Sequence, residues 1–230
     1  MFPLDTLVRD TLGILSVVPR TLGLAATIFI LSTIVGTIIA LIDQYNIPVL
    51  KQIVLVFKLF LKGTPMVIYI FIMYFAFYEI VGFFTSLVGS SFDPYTIPPE
   101  VIIIVALTLT LSPFQAEIIR GSFLSVGYGQ IEAANSLGYT FFQRFKRVIV
   151  PQAIVTAIPD LTNSIMVIIK ALSMAFLITV VDIFAKAQLM AALDFRYLEA
   201  FFVAAMMYWI ISYIITNIAD KAEQRLRGKA

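Results

Sequence analysis

Neither cysteine nor histidine occurs in the 230 residues of the chain, and each absence excludes a kind of chemistry. Without cysteine there is no disulfide framework and no thiolate nucleophile. Without histidine the commonest metal ligand and the commonest general base near neutral pH are missing. The sequence also lacks a phosphate-binding G-x-x-x-x-G-K-[ST] run, so any ATP hydrolysis must occur on another polypeptide. We therefore predict a protein that is not an enzyme and binds no cofactor or metal of its own.

Charged side chains are also few. They make up 13% of the chain, against about 25% in soluble domains, while 60% of the residues are hydrophobic and the mean hydropathy is +0.98. This composition indicates an all-α integral membrane protein, because a helix of about 20 apolar residues crosses the ~30 Å hydrocarbon core. Five transmembrane helices are predicted, within residues 22–42, 65–78, 101–116, 151–170 and 195–218.

The predicted transmembrane domain, residues 22–218, is flanked by two more polar segments. Residues 1–21 mix charges with leucines at a spacing that suits an amphipathic helix on a membrane face. Their start is not cationic, so no removable signal peptide is predicted. Residues 219–230 form a basic tail.

Helix-breaking residues divide the apolar regions. The run Gly63-Thr64-Pro65 predicts a boundary between a short interfacial helix and the second span, because the residue before a proline disfavours helix. Residues 79–100, which contain Gly, Ser and Asp but no Lys or Arg, predict a loop. Pro113 predicts a disturbance within the third span.

Two groups of polar and charged residues are predicted at the membrane edges. Glu117 and Arg120 lie one helical turn apart, so they can pair with each other. Asp182, Lys186 and Gln188 suit an exposed end between the fourth and fifth spans.

Residues 130–151, the most polar stretch of the chain, predict two short helices joined by a glycine turn. Gly138 falls where the first helix would end in a left-handed residue. Thr140 is placed to cap the second helix, with Gln143 three residues on to complete a capping box. Pro151 would open the next apolar helix, where its missing N–H costs least. A partner protein could bind such a compact, exposed unit.

This stretch resembles the cytoplasmic coupling loop of ABC importer permeases. The resemblance is carried by the run Glu132-Ala133-Ala134, by Gly138 after three intervening residues, and by an apolar residue two positions before Pro151. In that family the loop docks into a cleft of a separate ATPase. The loop is predicted within residues 125–150.

Further motifs are similar to the polar amino-acid branch of the same family. They include the run 116–121 and the break at 63–65, and the resemblance as a whole spans roughly residues 20–220. It implies a type I ABC importer permease fold, with five transmembrane helices and a cytoplasmic helix-turn-helix coupling loop.

The resemblance assigns roles to individual residues. Those expected to couple the chain to the ATPase are Glu132, Ala133, Ala134, Gly138, Arg144 and Pro151. Glu132 would anchor the contact, and Gly138 would permit the turn. Arg144 would bind acidic groups on the ATPase or lipid phosphates, unless it only helps to set the membrane orientation.

The resemblance also implies a set of partners. These are an ABC ATPase dimer that binds the ATP, a second permease subunit of the same or a related sequence, an extracytoplasmic substrate-binding protein and an amino-acid substrate. The expected location is a bacterial cell membrane, and no nucleic acid is expected.

A substrate pathway is predicted at Thr64, Asn163 and Ser164. Polar groups at this depth usually face protein or water, although Asn163 and Asp160 could instead form hydrogen bonds between helices. The family often shows Asn followed by Glu where this chain has Asn163 and Ser164. The missing carboxylate favours a neutral or zwitterionic polar amino acid, such as glutamine or cystine, over a basic one.

The positive-inside rule predicts the orientation. Eleven lysines and arginines fall on the side of the predicted coupling loop and four on the other side, with Lys170 near a helix end. The N-terminus is therefore expected outside and the C-terminus in the cytoplasm.

Two alternative classes of protein remain. An ion-coupled secondary transporter of small polar solutes would need paired broken helices, but no inverted repeat is visible and five spans do not divide evenly. A membrane-embedded enzyme would have few catalytic candidates.

Overall fold

The computed structural model describes residues 4–227, and the regular structure in this range is helical. Ten α-helices are described: α1 (Leu4–Leu15), α2 (Val18–Gln44), α3 (Leu50–Gly63), α4 (Met66–Leu87), α5 (Pro99–Leu124), α6 (Tyr128–Ser136), α7 (Phe141–Arg144), α8 (Val150–Ala171), α9 (Ile183–Asp194) and α10 (Tyr197–Arg227). Short 3₁₀ segments cover Pro94–Thr96 and Leu172–Ile178, and a π-helical turn covers Phe145–Ile149.

The prediction of five spans is confirmed. Within the described part of the chain, five helical stretches are long and apolar enough to cross a membrane: Leu4–Gln44, Met66–Leu87, Pro99–Leu124, Phe141–Ile178 and Tyr197–Arg227. The boundary predicted at Thr64 is also present, because α3 ends at Gly63 and α4 begins at Met66.

The predicted loop 79–100 is wrong over half of its length. Helix α4 continues to Leu87, so only residues 88–98 separate it from α5. Glu79 is exposed and does not interrupt the helix. The helix instead ends before Gly89, whose φ of +65° is the left-handed conformation that favours glycine after a helix.

Helix α5 is the most buried span and lies at the centre of the bundle. It packs closely on α2, where a Cβ added at Gly36 would lie 2.6 Å from the Cβ of Gln115 and 2.9 Å from the backbone nitrogen of Ala116. Only a glycine permits this approach of two helix backbones.

Pro113 does not break α5. A proline in a helix leaves the carbonyl four residues earlier without its N–H donor. That carbonyl belongs to Leu109, and it accepts a hydrogen bond of 2.9 Å from the Ser112 hydroxyl. The predicted disturbance is therefore absorbed by the neighbouring side chain.

The N-terminal segment forms a helix whose two faces differ. Its buried face carries Asp10 and Ile14 and packs against α9 and α10. Arg9 pairs with Asp10 and Asp194, each at 2.8 Å, and so links α1 to the end of α9. The opposite face exposes apolar side chains such as Val8 and Leu12. Residues 1–3 of the predicted segment 1–21 lie outside the described residues.

Asp182 is not at an exposed end, so that prediction is wrong. It is fully buried at the start of α9, where it accepts hydrogen bonds of 2.9 Å from the backbone N–H of Ala185 and from the Tyr208 hydroxyl. Burial raises the pKa of Asp182 above its ordinary value, although these hydrogen bonds oppose the shift. Lys186 and Gln188 are half-buried.

The basic tail predicted at 219–230 is helical as far as it is described. Helix α10 runs from Tyr197 to Arg227 without a glycine or proline to end it. Glu223 and Arg227 form an i, i+4 ion pair of 2.7 Å in its last turns. The fifth span therefore continues beyond residue 218 as one uninterrupted helix.

Candidate functional site

Helix α6 ends at a glycine turn, as predicted. Gly138 has φ +74°, its N–H donates to the Asn135 carbonyl at 2.9 Å, and the N–H of Tyr139 donates to the Ala134 carbonyl at 3.1 Å. This pair of bonds is the Schellman motif, which closes a helix with a left-handed residue. The turn reverses the chain without leaving these carbonyls unpaired.

The predicted capping box on α7 is present. The backbone N–H of Gln143 donates to the Thr140 hydroxyl at 3.3 Å, and the N–H of Thr140 donates to the Gln143 side chain at 3.0 Å. Both bonds fix the direction in which α7 leaves the turn.

The structure corrects the prediction that Pro151 opens a separate helix. The chain is helical from Phe141 through α8, because α7 passes into α8 through the π-helical turn Phe145–Ile149. The N–H of Val150 donates to the carbonyl of Phe145, five residues earlier. Pro151 has no N–H, and in α geometry its ring would meet the carbonyl four residues before it. The wider turn precedes the proline, and α7 and α8 form one continuous element.

The predicted coupling residues take different positions on this loop. Glu132, Ala133 and Gly138 are exposed, whereas Ala134 is buried beneath the loop. Pro151 lies in the first turn of α8.

Arg144 is engaged within the loop. Its guanidinium donates to the side-chain oxygen of Asn135 on α6 and lies 5.6 Å from the centre of the Phe141 ring. Arg147 lies similarly over Tyr139, at 5.9 Å. The bond to Asn135 joins α7 to α6, and the two ring contacts pack the arginines against the loop itself.

Large apolar side chains extend from the same unit into the surroundings. Leu137 is 73% exposed and Phe142 68% exposed, and Glu132 on α6 is exposed as well. Large exposed apolar side chains are typical of a surface that another protein covers.

A cavity of about 370 Å³ lies between the start of α4, the second half of α5 and the middle of α8. Its lining residues are Met66, Leu111, Phe114, Ile118, Asp160, Asn163, Ser164 and Val167. The α8 side contributes the polar residues, but most of the accessible surface of the cavity is apolar. A mostly apolar cavity of this volume with a few polar groups suits a small organic solute.

The structure brings two of the three predicted pathway residues together at this cavity. Asn163 and Ser164 line it, and Asp160 lies on the same wall. Thr64 does not line the cavity. Its hydroxyl donates a hydrogen bond to the Phe60 carbonyl at 2.8 Å, where α3 ends.

Sequence reasoning did not single out Gln115. This side chain is fully buried, and its amide nitrogen donates to the Ser164 hydroxyl at 2.8 Å. Its carbonyl oxygen has no hydrogen-bond partner within the described chain. The sequence does contain a signal for Gln115, which is an amide side chain within an otherwise apolar span. Polar groups buried in a membrane usually serve packing or function.

The pairing predicted between Glu117 and Arg120 is wrong. Glu117 forms its ion pair with Lys62 at the end of α3 instead. Helix α3 lies beside α5, and this contact between two helices depends on tertiary packing that a spacing rule does not include.

A helical membrane bundle with a solute-sized cavity between its spans and a rigid loop outside them defines a membrane transport subunit. The sequence matches the family described as "Binding-protein-dependent transport system inner membrane component" over residues 32–228, so the chain belongs to that family. The predicted resemblance to ABC importer permeases of the amino-acid branch is confirmed.

Similar proteins include two curated permeases. The chain is 34% identical over 206 residues to the "Probable amino-acid ABC transporter permease protein PatM" of Vibrio harveyi, covering 90% of this chain and 88% of that protein. It is 33% identical over 207 residues to the "L-cystine transport system permease protein TcyB" of Bacillus subtilis (strain 168), covering 90% and 83%.

The fold is similar to that of a solved transporter. A chain from the "Crystal structure of an amino acid ABC transporter with histidines" superposes with a TM-score of 0.80 at 26% identity, covering 98% of this chain and 99% of the other. The predicted type I ABC importer permease fold is confirmed by this similarity.

Proposed function

We propose that the chain is the permease subunit of an ATP-driven amino-acid importer and forms its translocation pathway. The observation that carries the proposal is the cavity, in which Asp160, Asn163 and Ser164 face the apolar side chains of α4 and α5. An amino acid has the size and the mixed polarity that such a cavity accommodates. The names of the similar proteins support the same substrate class.

Coupling to ATP would pass through the α6–α7 loop. Glu132 anchors the loop in a cleft of a partner ATPase, and Gly138 provides the turn that presents it. Arg144 keeps α6 and α7 together through Asn135. Because α7 continues into α8, a displacement of the loop moves the helix that carries the polar wall of the cavity. Closure of the ATPase pair would then rock the permease halves between two openings.

The proposed assembly contains two permease chains, an ABC ATPase dimer and an extracytoplasmic substrate-binding protein in a bacterial cell membrane. The second permease is another copy of this chain or a relative. ATP is bound and hydrolysed by the partner subunits. The N-terminus lies outside and the C-terminus in the cytoplasm, as the distribution of lysine and arginine indicates.

The proposed substrate is a neutral or zwitterionic polar amino acid, such as glutamine or cystine. The cavity wall on α8 offers one carboxylate, Asp160, beside the amide of Asn163 and the hydroxyl of Ser164. One carboxylate suits a single ammonium group, whereas a basic amino acid brings two cationic groups.

The test is uptake into proteoliposomes that contain the chain, its partner ATPase and its binding protein. We expect labelled glutamine or cystine to accumulate with ATP inside the vesicles and not with ADP, and ionophores to leave the uptake unchanged. Uphill uptake by the chain alone, driven by an ion gradient, would overturn the proposal and identify a secondary transporter.

A further inference from the structure

Two ion pairs hold α3 against the rest of the bundle, one helical turn apart. Lys58 pairs with Asp43 at the end of α2, and Lys62 pairs with Glu117 on α5. We call the first the anchor pair and the second the rim pair. Since α2 and α5 pack backbone to backbone at Gly36, they form one support on which α3 is fixed at two points.

The rim pair lies at the edge of the cavity. The ammonium group of Lys62 is 5.2 Å from the centre of the Phe114 ring, and Phe114 lines the cavity one turn before Glu117. On the other side of the pair, Met66 lines the cavity at the start of α4. The rim pair therefore joins the α3–α4 junction to α5 across one edge of the cavity.

The two pairs differ in exposure. The side chains of Lys58 and Asp43 are 18% and 13% exposed, whereas those of Lys62 and Glu117 are 28% and 61% exposed. An exposed ion pair contributes little and separates readily in water. Separation of a partly buried pair leaves charges with less solvent, so the anchor pair is harder to break.

The helix is interrupted directly after the rim pair. Thr64 has extended backbone angles (φ −99°, ψ 130°), and Pro65 has no N–H to continue the helix. Helices α5 and α8 are joined by the part-buried hydrogen bond between Gln115 and Ser164, and Ser164 lines the cavity. Of the two links across the cavity, the one between α3 and α5 is the weaker.

We propose that the rim pair, Lys62 and Glu117, is the gate through which the solute leaves the cavity on the side of the α6–α7 loop. The anchor pair stays closed and serves as the pivot, while separation of the rim pair moves Met66 away from Phe114. This proposal rests on the proposed transport function, and it assigns the gate to side chains that do not themselves line the cavity.

The absence of cysteine makes a cross-linking test direct. The double variants Lys62→Cys with Glu117→Cys, and Asp43→Cys with Lys58→Cys, are placed in proteoliposomes with the binding protein and a partner ATPase stripped of accessible cysteines. A short, reducible bis-methanethiosulfonate reagent then links each pair. We expect the link at the rim pair to lower ATP-driven uptake about tenfold or more, with recovery after reduction, because the gate must open in each cycle. The link at the anchor pair should leave uptake within about twofold of its unlinked value.

Unchanged uptake with the rim pair linked would overturn the proposal, and so would equal loss with either pair linked. The first result means that the rim pair need not open, and the second that α3 moves as a whole. Absence of ATP-driven uptake in the wild-type complex would instead contradict the proposed function. The gate would then be tested by a second measurement.

That measurement needs no ATPase or substrate. A single cysteine replaces Ile118, which lines the cavity next to Glu117, and its labelling by an impermeant maleimide is timed in the purified chain. Lys62→Glu places like charges at the rim and should speed labelling about two- to fivefold, the range open to an exposed pair. Adding Glu117→Lys restores the attraction and should return the original rate. Equal rates in the single and double reversals would overturn the gate.

Discussion

Gly138 and Gln115 show how single residues determine the loop and the cavity. Gly138 has φ +74° and open space around its Cα, so only the backbone angle excludes other residues there. Gln115 is selected by its surroundings instead, because its buried amide meets Ser164 on the neighbouring helix.

Replacing Gly138 with leucine should impair coupling without preventing membrane insertion. The left-handed angle costs an L-residue roughly 1–2 kcal/mol, so the turn would relax to another shape. We expect ATP-driven uptake to fall about tenfold while the amount of protein in the membrane is unchanged, as measured by uptake and immunoblotting.

Gly129→Leu is the matched control, since Gly129 lies within α6 with equally open space and no positive φ. Gly138→Asn should retain most of the uptake, because asparagine tolerates the left-handed region. Normal uptake by Gly138→Leu would count against docking through this loop.

The Gln115–Ser164 bond can be tested by a double-mutant cycle on thermal stability in detergent. Ser164→Ala leaves the buried amide of Gln115 without its acceptor and should destabilise the chain by about 1–3 kcal/mol. The double variant Gln115→Leu with Ser164→Ala removes both polar groups and should recover most of that loss. Additive effects of the two single changes would mean that the bond contributes nothing.

At the scale of helices, close packing and continuity matter more than local propensity. Helices α2 and α5 approach at Gly36, and α7 continues into α8 through a π-helical turn before Pro151. The first contact makes a rigid support, and the second connects the loop to the cavity wall.

Gly36→Ala should therefore destabilise the bundle. The added Cβ would lie 2.6 Å from the Cβ of Gln115 and 2.9 Å from backbone, so the helices must separate. We expect a loss of about 1–3 kcal/mol in thermal or denaturant unfolding. Gly23→Ala on the same helix meets nothing within 4 Å and should be neutral or slightly stabilising. Equal effects at the two positions would disprove the close approach.

Asp182 makes the junction before α9 sensitive to pH. Burial raises its pKa in the folded chain, so its contribution to stability is present below its ordinary pKa and is lost as pH rises through the folded value. Asp182→Asn retains a side-chain acceptor for the N–H of Ala185 but does not titrate. Relative to this variant, the wild-type chain should gain thermal stability as pH falls from neutral towards 4. A difference in melting temperature that is independent of pH would contradict the assignment.

At the scale of the whole molecule, the bundle has a loop end and an opposite end. The α6–α7 loop lies at the first end. The opposite end carries the short α9 helix, which connects the last two spans and holds the Arg9–Asp194 pair. Burial opposes ionisation of Asp194, but the hydrogen bonds from Arg9 and from the backbone of Arg196, together with the charges of both arginines, lower the pKa of that carboxyl. This end therefore carries charge that suits contact with water.

The orientation can be checked with single cysteines at two equally accessible leucines. Leu193 at the end of α9 is 76% exposed, and Leu137 in the loop is 73% exposed. An impermeant maleimide should label Leu193→Cys in intact cells and Leu137→Cys only after permeabilisation. Labelling of Leu137→Cys in intact cells would reverse the proposed orientation.

The sequence by itself determined the features that depend on local chemistry. The number of spans follows from the apolar runs, and the ends of α6 and α7 follow from Gly138 and the Thr140 capping box. Helix α4 extends past its predicted end at residue 78, because Glu79 does not interrupt it and the left-handed Gly89 is the terminator.

Tertiary structure alone decided which polar groups meet. Glu117 pairs with Lys62 rather than Arg120, Gln115 reaches Ser164, and Asp182 is buried. In each case the partner lies on a different helix, so residue spacing along one helix cannot predict the contact. The close approach of α2 and α5 at Gly36 likewise arises from packing, because helix propensity alone would favour alanine over glycine at that position.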